Sequence, residues 1–367
     1  MYHLNIKKQT ITIEGTTYAP TDLLQLFEEI PANLPLSQQF LPFKHDLLNF
    51  LKEWFSDSPE ITVHTSGSTG QPKPILVRKE QMMRSAEMTC TFLDLKEKDK
   101  TLLCLPLSYI AGKMIVVRSL IASLDLYPVT PSGHPLAETH THFQFAAMIP
   151  LQVYNSFQNP EEKKKLEQIE KLIIGGSPID YALQEKIATL PKAAYATYGM
   201  TETLSHIALQ RLNGKEASSR YTPLPSVELS LSEEQTLTVY APLVNDKKLT
   251  TNDIAHIYPD GSFKILGRKD NIIITGGIKI QIEEVESHLA PVISTPFAIT
   301  SQPHPKFGEI VVLLVERPTD ITHLEEKINS KLTIYQRPKK IYSVENIPLT
   351  ISGKINRAAT KQLAATL

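Results

Sequence analysis

The amino-acid sequence predicts an α/β protein with a large N-terminal domain and a smaller C-terminal α/β domain. Short β-branched runs are repeatedly followed by turns and then by helical patterns, which is typical of parallel strands joined by helices. The alternation restarts near residue 270, and a length of 367 residues suits two or three domains. We therefore expect functional loops at the carboxyl ends of parallel strands.

The strand-like runs of the large domain lie at 61–64, 145–149 and 171–176, and each leads into a loop or a helical pattern. At 256–266, the segment HIYPDGSFKIL has an Asp-Gly turn between two strand-like halves, which predicts a β-hairpin. We expect this hairpin to close the large domain.

A second series of predicted elements begins at Asp270. It consists of the strand NIIIT, the helix IEEVESHLA, the strand EIVVLLVE, the helix HLEEKINSKL and the strand KKIYSV. This length is enough for a small α/β domain. We place the two domains at 1–269 and 270–367, with the hinge at Arg268 to Asp270.

Composition and charge argue against several classes of protein. The 38 lysines and arginines nearly balance the 39 aspartates and glutamates, so nucleic-acid binding through bulk charge is not expected. The chain begins without an apolar signal-peptide core and has no apolar stretch long enough to span a membrane, so we expect a cytoplasmic protein. The two cysteines, Cys90 and Cys104, are too few and wrongly spaced for a zinc site or a disulfide framework.

The loop TSGSTGQPK at 65–73 follows a predicted strand and has the composition of a phosphate-binding loop. Its glycines let the backbone approach an anion, and its hydroxyls, backbone N–H groups and lysine can donate to phosphate oxygens. It is not a Walker A loop, because Pro72 stands where Gly-Lys-Ser/Thr would close such a loop. Taken alone, it is as well explained as a flexible surface loop. The candidate phosphate ligands are Thr65, Ser66, Gly67, Ser68, Thr69, Gly70 and Lys73.

Two later motifs, GGSP at 175–178 and YGMTE at 198–202, are suited to the rest of a nucleotide. Bare glycine backbone lets a purine ring lie against the chain, the tyrosine offers a stacking face, and the glutamate is a hard oxygen ligand for Mg²⁺. Further along, Asp253 can accept from ribose hydroxyls and Arg268 can donate to ribose or phosphate.

The order and spacing of TSGSTGQPK, YGMTE, GRKD and the GK near the C-terminus resemble the adenylate-forming superfamily of acyl-CoA synthetases, adenylation domains and luciferases. The resemblance covers essentially the whole chain. It implies a large AMP-binding domain, a small mobile C-terminal domain, and two half-reactions that use ATP, Mg²⁺ and coenzyme A. In the first, a carboxylic acid and ATP form an acyl adenylate; in the second, a thiol displaces AMP.

The resemblance also implies a role for each matching residue. The 65–73 loop would hold the β- and γ-phosphates of ATP. Tyr198 with Gly175 and Gly176 would enclose the adenine, and Thr201 and Glu202 would arrange the α-phosphate and Mg²⁺. Asp253 and Arg268 would bind the ribose. Ser177 and Gly199, in the same two motifs, are further candidate ligands of the nucleotide.

The moving parts of the family match residues of the second predicted domain. Asp270 matches the hinge about which the small domain turns between the half-reactions. Lys354 matches the lysine that enters the site only for adenylation. Gly276 and Gly277 match the loop that lines the pantetheine tunnel after the turn.

Three segments, LPLSYIAGKMIVVRSL, IPLQVYNSF and GGIKIQIEEVE, are similar to those of 2-succinylbenzoate-CoA ligases, which belong to menaquinone biosynthesis. The chain is much shorter than is usual in the superfamily, so we expect most of the first part of the N-terminal domain to be trimmed. Tyr109 stands where the family commonly has histidine or another aromatic gate, and Ser108 replaces a common phenylalanine. Tyr109 can still stack on the acid and donate a hydrogen bond to it.

2-Succinylbenzoate has two carboxylates, so its pocket requires a cation that ordinary acyl pockets lack. Arg118 is the candidate, because it lies in an apolar stretch where an unpaired guanidinium would be costly. The alternatives are a structural ion pair or an exposed helix edge, and Lys113 is a weaker candidate. Ser205 either binds the substrate or caps a helix.

Other functions remain open from the sequence. A different aryl or fatty acid, or a carrier protein in place of free CoA, fits the same motifs. The sequence is also compatible with a homo-oligomer. A nucleotide-binding protein without activity would be expected to lack Lys354 or Glu202, and both are present.

Overall fold

The computed structural model describes residues 2–23, 41–64, 74–317, 324–350 and 355–367. The chain divides into two compact units, of which the first comprises Met1–Gly176, Lys186–Glu228 and Tyr240–Lys248, and the second Ser177–Glu185, Leu229–Val239 and Leu249–Leu367. These units reflect packing within one conformation, whereas the predicted domains 1–269 and 270–367 concern which parts rotate together. That division therefore stays a prediction.

The elements of the first unit are numbered in chain order. The strands are β1 (Ile11–Ile13), β2 (Thr16–Tyr18), β3 (Glu60–His64), β4 (Pro74–Arg78), β5 (Lys100–Leu103), β6 (Asp125–Pro128), β7 (Phe145–Met148), β8 (Lys171–Ile174), β9 (Ala193–Gly199), β10 (His206–Arg211) and β11 (Thr222–Pro223). The helices are α1 (Leu41–Phe55), α2 (Lys79–Phe92), α3 (Ile110–Ala122), α4 (Pro150–Gln158), α5 (Pro160–Gln168) and α6 (Tyr181–Ala188), the last shared between the two units.

Nine strands of the described residues form the main sheet, in the order β11-β10-β9-β8-β7-β5-β6-β1-β2. The central strands from β9 to β1 run parallel, and β2, β10 and β11 are antiparallel at the two edges. The four residues of β7 are all buried, as expected for a parallel strand covered on both faces. This sheet confirms the predicted strands at 145–149 and 171–176.

The predicted strand at 61–64 forms, but its expected place among the parallel strands is wrong. It is β3, which pairs antiparallel with β4 in a separate two-stranded sheet, from Glu60 opposite Arg78 to His64 opposite Pro74. In β3, Ile61 and Val63 are fully buried, whereas Glu60 is exposed and Thr62 is half-buried. This alternation is typical of a strand with one buried face, whereas parallel strands are apolar throughout.

The second unit has two sheets. Its elements are β12 (Glu228–Leu231), β13 (Thr236–Tyr240), β14 (Leu249–Ile257), β15 (Phe263–Arg268), β16 (Ile272–Thr275), β17 (Ile278–Gln281), α7 (Ile282–Leu289), β18 (Phe297–His304), β19 (Gly308–Glu316), α8 (Leu324–Lys331), β20 (Lys340–Val344) and α9 (Arg357–Ala365). One sheet has the order β12-β13-β14-β15; in the other the order is β17-β16-β19-β18, and β20 pairs with β19 in parallel.

The predicted hairpin at 256–266 is the β14–β15 pair, in which Gly261 takes a φ of +80° at the turn. The five elements predicted after residue 270 are also present, as β16, α7, β19, α8 and β20. The sequence reasoning missed β17, β18 and α9.

Strand β19 lies at the centre of the larger sheet of the second unit, and successive residues pack on opposite faces. Val311 and Leu313 face a core built with α7 and α8, while Val312 and Leu314 face a core that includes residues of β20 and α9. The continuous apolar run EIVVLLVE is therefore explained by burial on both faces.

No helix within the described residues is long and apolar enough to cross a membrane.

Candidate active site

Two groups of predicted site residues lie outside the described residues. One is the phosphate loop, with Thr65, Ser66, Gly67, Ser68, Thr69, Gly70 and Lys73; the other is the C-terminal Lys354. Their assigned roles stay predictions.

The predicted adenine-binding glycines follow β8, whose carboxyl end lies beside that of β9. A Cβ atom on Gly175 would lie 2.2 Å from Thr197 Oγ1, so any larger residue would force the Thr197 side chain to shift. Gly176 has a φ of +90°, a conformation that favours glycine. Ser177 is the first residue of the second unit.

The YGMTE motif leaves the carboxyl end of β9 and makes a short 3₁₀ turn at Thr201–Thr203. The Tyr198 ring lies 5.7 Å from the Tyr221 ring, centroid to centroid. The Glu202 side chain is exposed, and its backbone carbonyl accepts from Asn245 Nδ2 at 3.0 Å. The structure thus presents a carboxylate to solvent just beyond the tyrosine.

The residues after this motif are held in a strained backbone. Leu204 is buried with a φ of +63°, which is unusual for a branched side chain. Thr203 Oγ1 donates within this turn, to the carbonyl of Met200 at 3.0 Å or to that of Ser205 at 2.8 Å. Thr203 therefore caps the turn, whereas the side chain of Ser205 is left for another partner.

That partner is Arg118, on α3. Its Nη2 donates to Ser205 Oγ at 2.8 Å and lies 3.4 Å from Thr89 Oγ1. Arg118 is only 2% exposed, and within the described residues it has no carboxylate partner and its Nε has no hydrogen-bond acceptor. Neither alternative to a substrate-binding role, an ion pair or an exposed helix edge, is found in the described part of the chain.

Burial lowers the pKa of Arg118 to about 10, which leaves the guanidinium charged at neutral pH. A buried charge without a counter-ion is expensive, because the desolvation cost is not offset by attraction to an anion. The site is therefore suited to an anionic ligand that supplies the missing charge.

Two residues of this cluster were missed by sequence reasoning. Thr89 lies on α2 and His206 begins β10, and His206 Nε2 is 3.0 Å from Thr89 Oγ1. The only sequence signal was the adjacency of His206 to Ser205. Nothing in the spacing of Thr89 and Arg118 predicts that α2, α3 and β10 meet here.

We expect His206 to make the protein less stable as the pH falls below 6.5. Burial, and then the Arg118 charge, hold the pKa of His206 well below its ordinary value of 6.5, so the unfolded chain binds a proton that the folded protein does not. The stability contribution is fully present above pH 6.5 and is lost at up to about 1.4 kcal/mol per pH unit as the pH falls toward the folded pKa. The measurement is the thermal unfolding midpoint against pH for wild type and His206→Gln.

The midpoint of His206→Gln should depend less steeply on pH than that of wild type. His288→Gln, at an exposed position of α7, is the matched control and should keep the wild-type slope. Parallel curves for all three proteins would contradict the expectation.

The other acid-pocket candidates differ from Arg118. Tyr109 immediately precedes α3 and is 48% exposed, as an aromatic gate would be. Lys113 Nζ lies 3.5 Å from Glu53 Oε2 and 5.0 Å from the centre of the Phe50 ring. Because its charge is already paired, Lys113 is not a free cation for a substrate.

Both cysteines of the sequence are fully buried, Cys90 on α2 and Cys104 directly after β5. Burial raises the pKa of each thiol to about 12, so both stay protonated at neutral pH.

In the second unit, the predicted ribose ligands are bonded to the predicted hinge. Arg268 donates from Nη1 to Asp253 Oδ1 at 3.1 Å and from Nη2 to Asp270 Oδ2 at 3.2 Å. Asn252 Nδ2 donates to the same Asp270 oxygen at 3.0 Å. The structure thus brings Asp253, Arg268 and Asp270 together.

The predicted pantetheine loop is the turn between β16 and β17. Gly276 and Gly277 have φ values of +56° and +86°, which this tight turn requires. The Gly276 N–H donates to the Phe307 carbonyl at 2.8 Å.

Residues 22–244, more than half of the chain, match the family described as AMP-binding enzyme. The chain belongs to the AMP-binding enzyme family. This match confirms the predicted resemblance and the prediction of an enzyme of this family. The roles of the individual site residues are proposals.

Individual members of the family are similar over most of the chain. A 2-succinylbenzoate--CoA ligase of Listeria monocytogenes is 26% identical over 347 residues, which cover 85% of this chain and 72% of that protein. A crystal structure from Dyadobacter fermentans, of an acyl-CoA synthetase (AMP-forming)/AMP-acid ligase II-like protein, is 33% identical with a TM-score of 0.64. That comparison covers 95% of this chain and 99% of the other, so the two chains are similar in length.

A further solved structure is similar in fold. It is the O-succinylbenzoate coenzyme A synthetase of Bacillus subtilis in complex with ATP and magnesium ion, 20% identical, with a TM-score of 0.67 over 84% of this chain and 74% of that one. Together with the Dyadobacter structure, it confirms the predicted α/β fold class.

Proposed function

We propose that the protein is a cytoplasmic, AMP-forming acid-CoA ligase that converts 2-succinylbenzoate to 2-succinylbenzoyl-CoA in menaquinone biosynthesis. The observation that carries the choice of acid is the buried guanidinium of Arg118, which has no carboxylate partner in the described part of the chain. The ring carboxylate of 2-succinylbenzoate would supply that partner. The name of the Listeria monocytogenes relative supports the same acid.

In the first half-reaction, an oxygen of the succinyl carboxylate attacks the α-phosphorus of ATP. The bond from phosphorus to the bridging oxygen breaks, pyrophosphate leaves, and an acyl adenylate forms. Both reactants are anionic, so positive charge must converge on the reacting phosphorus in the transition state. Lys354 is proposed to bring that charge, while the 65–73 loop holds the β- and γ-phosphates.

The described residues fit the nucleotide and its Mg²⁺. The exposed Glu202 carboxylate is a hard oxygen ligand, and Thr201 beside it would bind the α-phosphate. Mg²⁺, when bound, would neutralise phosphate charge. The remaining nucleotide ligands are proposed to be Gly175, Gly176, Ser177, Tyr198 and Gly199 for adenine, and Asp253 and Arg268 for ribose.

In the second half-reaction, the thiol sulfur of coenzyme A attacks the acyl carbon. The carbon–oxygen bond to AMP breaks, AMP leaves, and the thiol proton goes to solvent. A thiol with a pKa of about 8.5 ionises readily, so no dedicated base is required. Gly276 and Gly277 are proposed to line the path of the pantetheine arm.

The proposal is tested by pyrophosphate release from ATP with a panel of acids. We expect 2-succinylbenzoate to be used far better than an analogue without the ring carboxylate or a fatty acid of similar length. The product should be a CoA thioester in a reaction without any carrier protein. Preference for another acid, or activity only with a carrier protein, would refute the proposed function.

We expect replacement of Asp270 by proline to separate the two half-reactions. Proline fixes φ near −65° and restricts the preceding residue, so a chain that must rotate here is held in one conformation. One half-reaction should then keep its rate and the other should fall by at least about tenfold. Single-turnover assays of adenylation and of thiolysis measure both.

Asp270→Ala is the matched control for the lost side chain. It removes the bonds from Arg268 and Asn252 but leaves the backbone free to rotate. Both half-reactions close to the wild-type rate in Asp270→Pro would exclude this residue as the hinge.

A further inference from the structure

Arg118 belongs to a closed ring of hydrogen bonds with Ser205, His206 and Thr89, and Thr89 joins this ring to the backbone of α2. Ser205 Oγ lies 2.8 Å from Arg118 Nη2 and 3.3 Å from His206 Nδ1. His206 Nε2 lies 3.0 Å from Thr89 Oγ1, which in turn donates to the Ser85 carbonyl at 3.2 Å. We call these four side chains the Arg118 network.

The directions of these bonds follow from counting protons. Thr89 has one hydroxyl proton, and when it donates that proton to the Ser85 carbonyl, His206 Nε2 must be the donor to Thr89. Burial and the nearby Arg118 charge lower the pKa of His206, so the ring is neutral and carries only one proton. Nδ1 is therefore an acceptor, and Ser205 donates to it.

We propose that His206 is a positioning residue for Arg118: by accepting the Ser205 hydroxyl proton at Nδ1, it turns a Ser205 lone pair toward Nη2 and fixes the plane of the guanidinium. If His206 carried its proton on Nδ1 instead, Ser205 Oγ would accept from both Arg118 and His206. The hydroxyl proton of Ser205 would then have no acceptor in the network. The carboxylate that this guanidinium meets is the one named under the proposed function, on which this inference rests. His206 thus determines how well the enzyme distinguishes a diacid from a monoacid.

The backbone supports this role by holding Ser205 and His206 in place. A Cβ atom on Gly199 would lie 2.4 Å from the Ser205 carbonyl oxygen and 2.5 Å from His206 Cα. The glycine therefore allows the backbone of β9 to pack directly against the backbone of these two residues. Leu204, just before Ser205, is kept at a positive φ. Strain of this kind persists only where the surroundings determine the conformation.

The first test is spectroscopic and needs no substrate. In a ¹⁵N correlation spectrum of the protein at neutral pH, the His206 ring should show a protonated Nε2 and an unprotonated Nδ1. His206→Gln locates the signal by its disappearance. A protonated Nδ1 would overturn the proposal.

The second test uses two variants that each keep one half of the imidazole. Asparagine places an amide oxygen near the position of Nδ1, whereas glutamine places an amide nitrogen near that of Nε2. The readout is the ratio of kcat/KM for 2-succinylbenzoate to that for its analogue without the ring carboxylate. His206→Asn should keep the ratio within about threefold. His206→Gln should lower it about tenfold, as expected if Ser205 turns away and the charged Arg118 loses its bond to Ser205.

A merely structural histidine would lower both activities together and leave the ratio unchanged. In a Ser205→Ala background the two His206 variants should have equal ratios, because the bond that distinguishes them is gone. If wild type prefers the diacid and both single variants keep that preference, this inference alone fails. If wild type has no such preference, the proposed function fails and the inference falls with it.

Discussion

Replacing Lys354 by alanine is expected to reduce acyl-adenylate formation by several orders of magnitude while leaving thiolysis nearly intact. Attack of a carboxylate on ATP brings like charges together, and one well-placed donor in such a transition state contributes about 3 to 4 kcal/mol. Thiolysis of a preformed acyl adenylate does not bring a carboxylate up to ATP, so it does not require the positive charge of Lys354. Pyrophosphate release measures the first step, and CoA thioester formation from synthetic acyl adenylate measures the second.

Lys331→Ala is the matched control, because this exposed lysine at the end of α8 lies in the same predicted small domain. It should leave both steps unchanged. An equal loss of rate in both steps of Lys354→Ala would exclude the prediction that Lys354 acts in only one of the two conformations.

Replacing Arg118 by leucine is expected to lower kcat/KM for 2-succinylbenzoate roughly 30- to 1000-fold. A charge-assisted contact to a carboxylate in a partly desolvated pocket is worth about 2 to 4 kcal/mol, which corresponds to that range. An analogue without the ring carboxylate does not make the contact and should be nearly unaffected. Steady-state kinetics of wild type and Arg118→Leu give kcat/KM for both acids, and the fold-loss for one acid is compared with that for the other.

Lys113→Met, on the same helix, provides the control. It removes a buried cation that is already paired with Glu53, so any decrease in kcat/KM should be equal for the two acids. If Arg118→Leu also lowers kcat/KM equally for both acids, Arg118 has a structural role, and the assignment of 2-succinylbenzoate as the substrate loses its support.

The fold was largely predictable because its strands carry distinct local signals. The run FAAM is apolar throughout, KLII is apolar after its initial lysine, and both form central parallel strands. The segment EITVH alternates instead, and its misplacement came from reading the loop after it as a strand-to-helix connection. Strand β18 was missed because FAITSQPH mixes polar residues and a proline, although most of it is buried.

The candidate site was predictable only where the chemistry shows in a local stretch. A lone arginine among MIVV and SLIA is conspicuous, and so are the glycine motifs. Thr89 and His206 have no such local signal, since their role depends on α2, α3 and β10 meeting through tertiary packing. Residues 65–73 and Lys354 lie outside the described residues, so their roles stay predictions from the resemblance.

The burial of Cys90 and Cys104 has a consequence for the proposed second half-reaction, in which the substrate is a thiol. Thiol–disulfide exchange requires an accessible thiolate, and neither side chain is exposed or ionised at neutral pH. Neither thiol of the folded protein can therefore attack the disulfide of oxidised coenzyme A, so no mixed disulfide forms between the protein and the thiol that we propose as its second substrate.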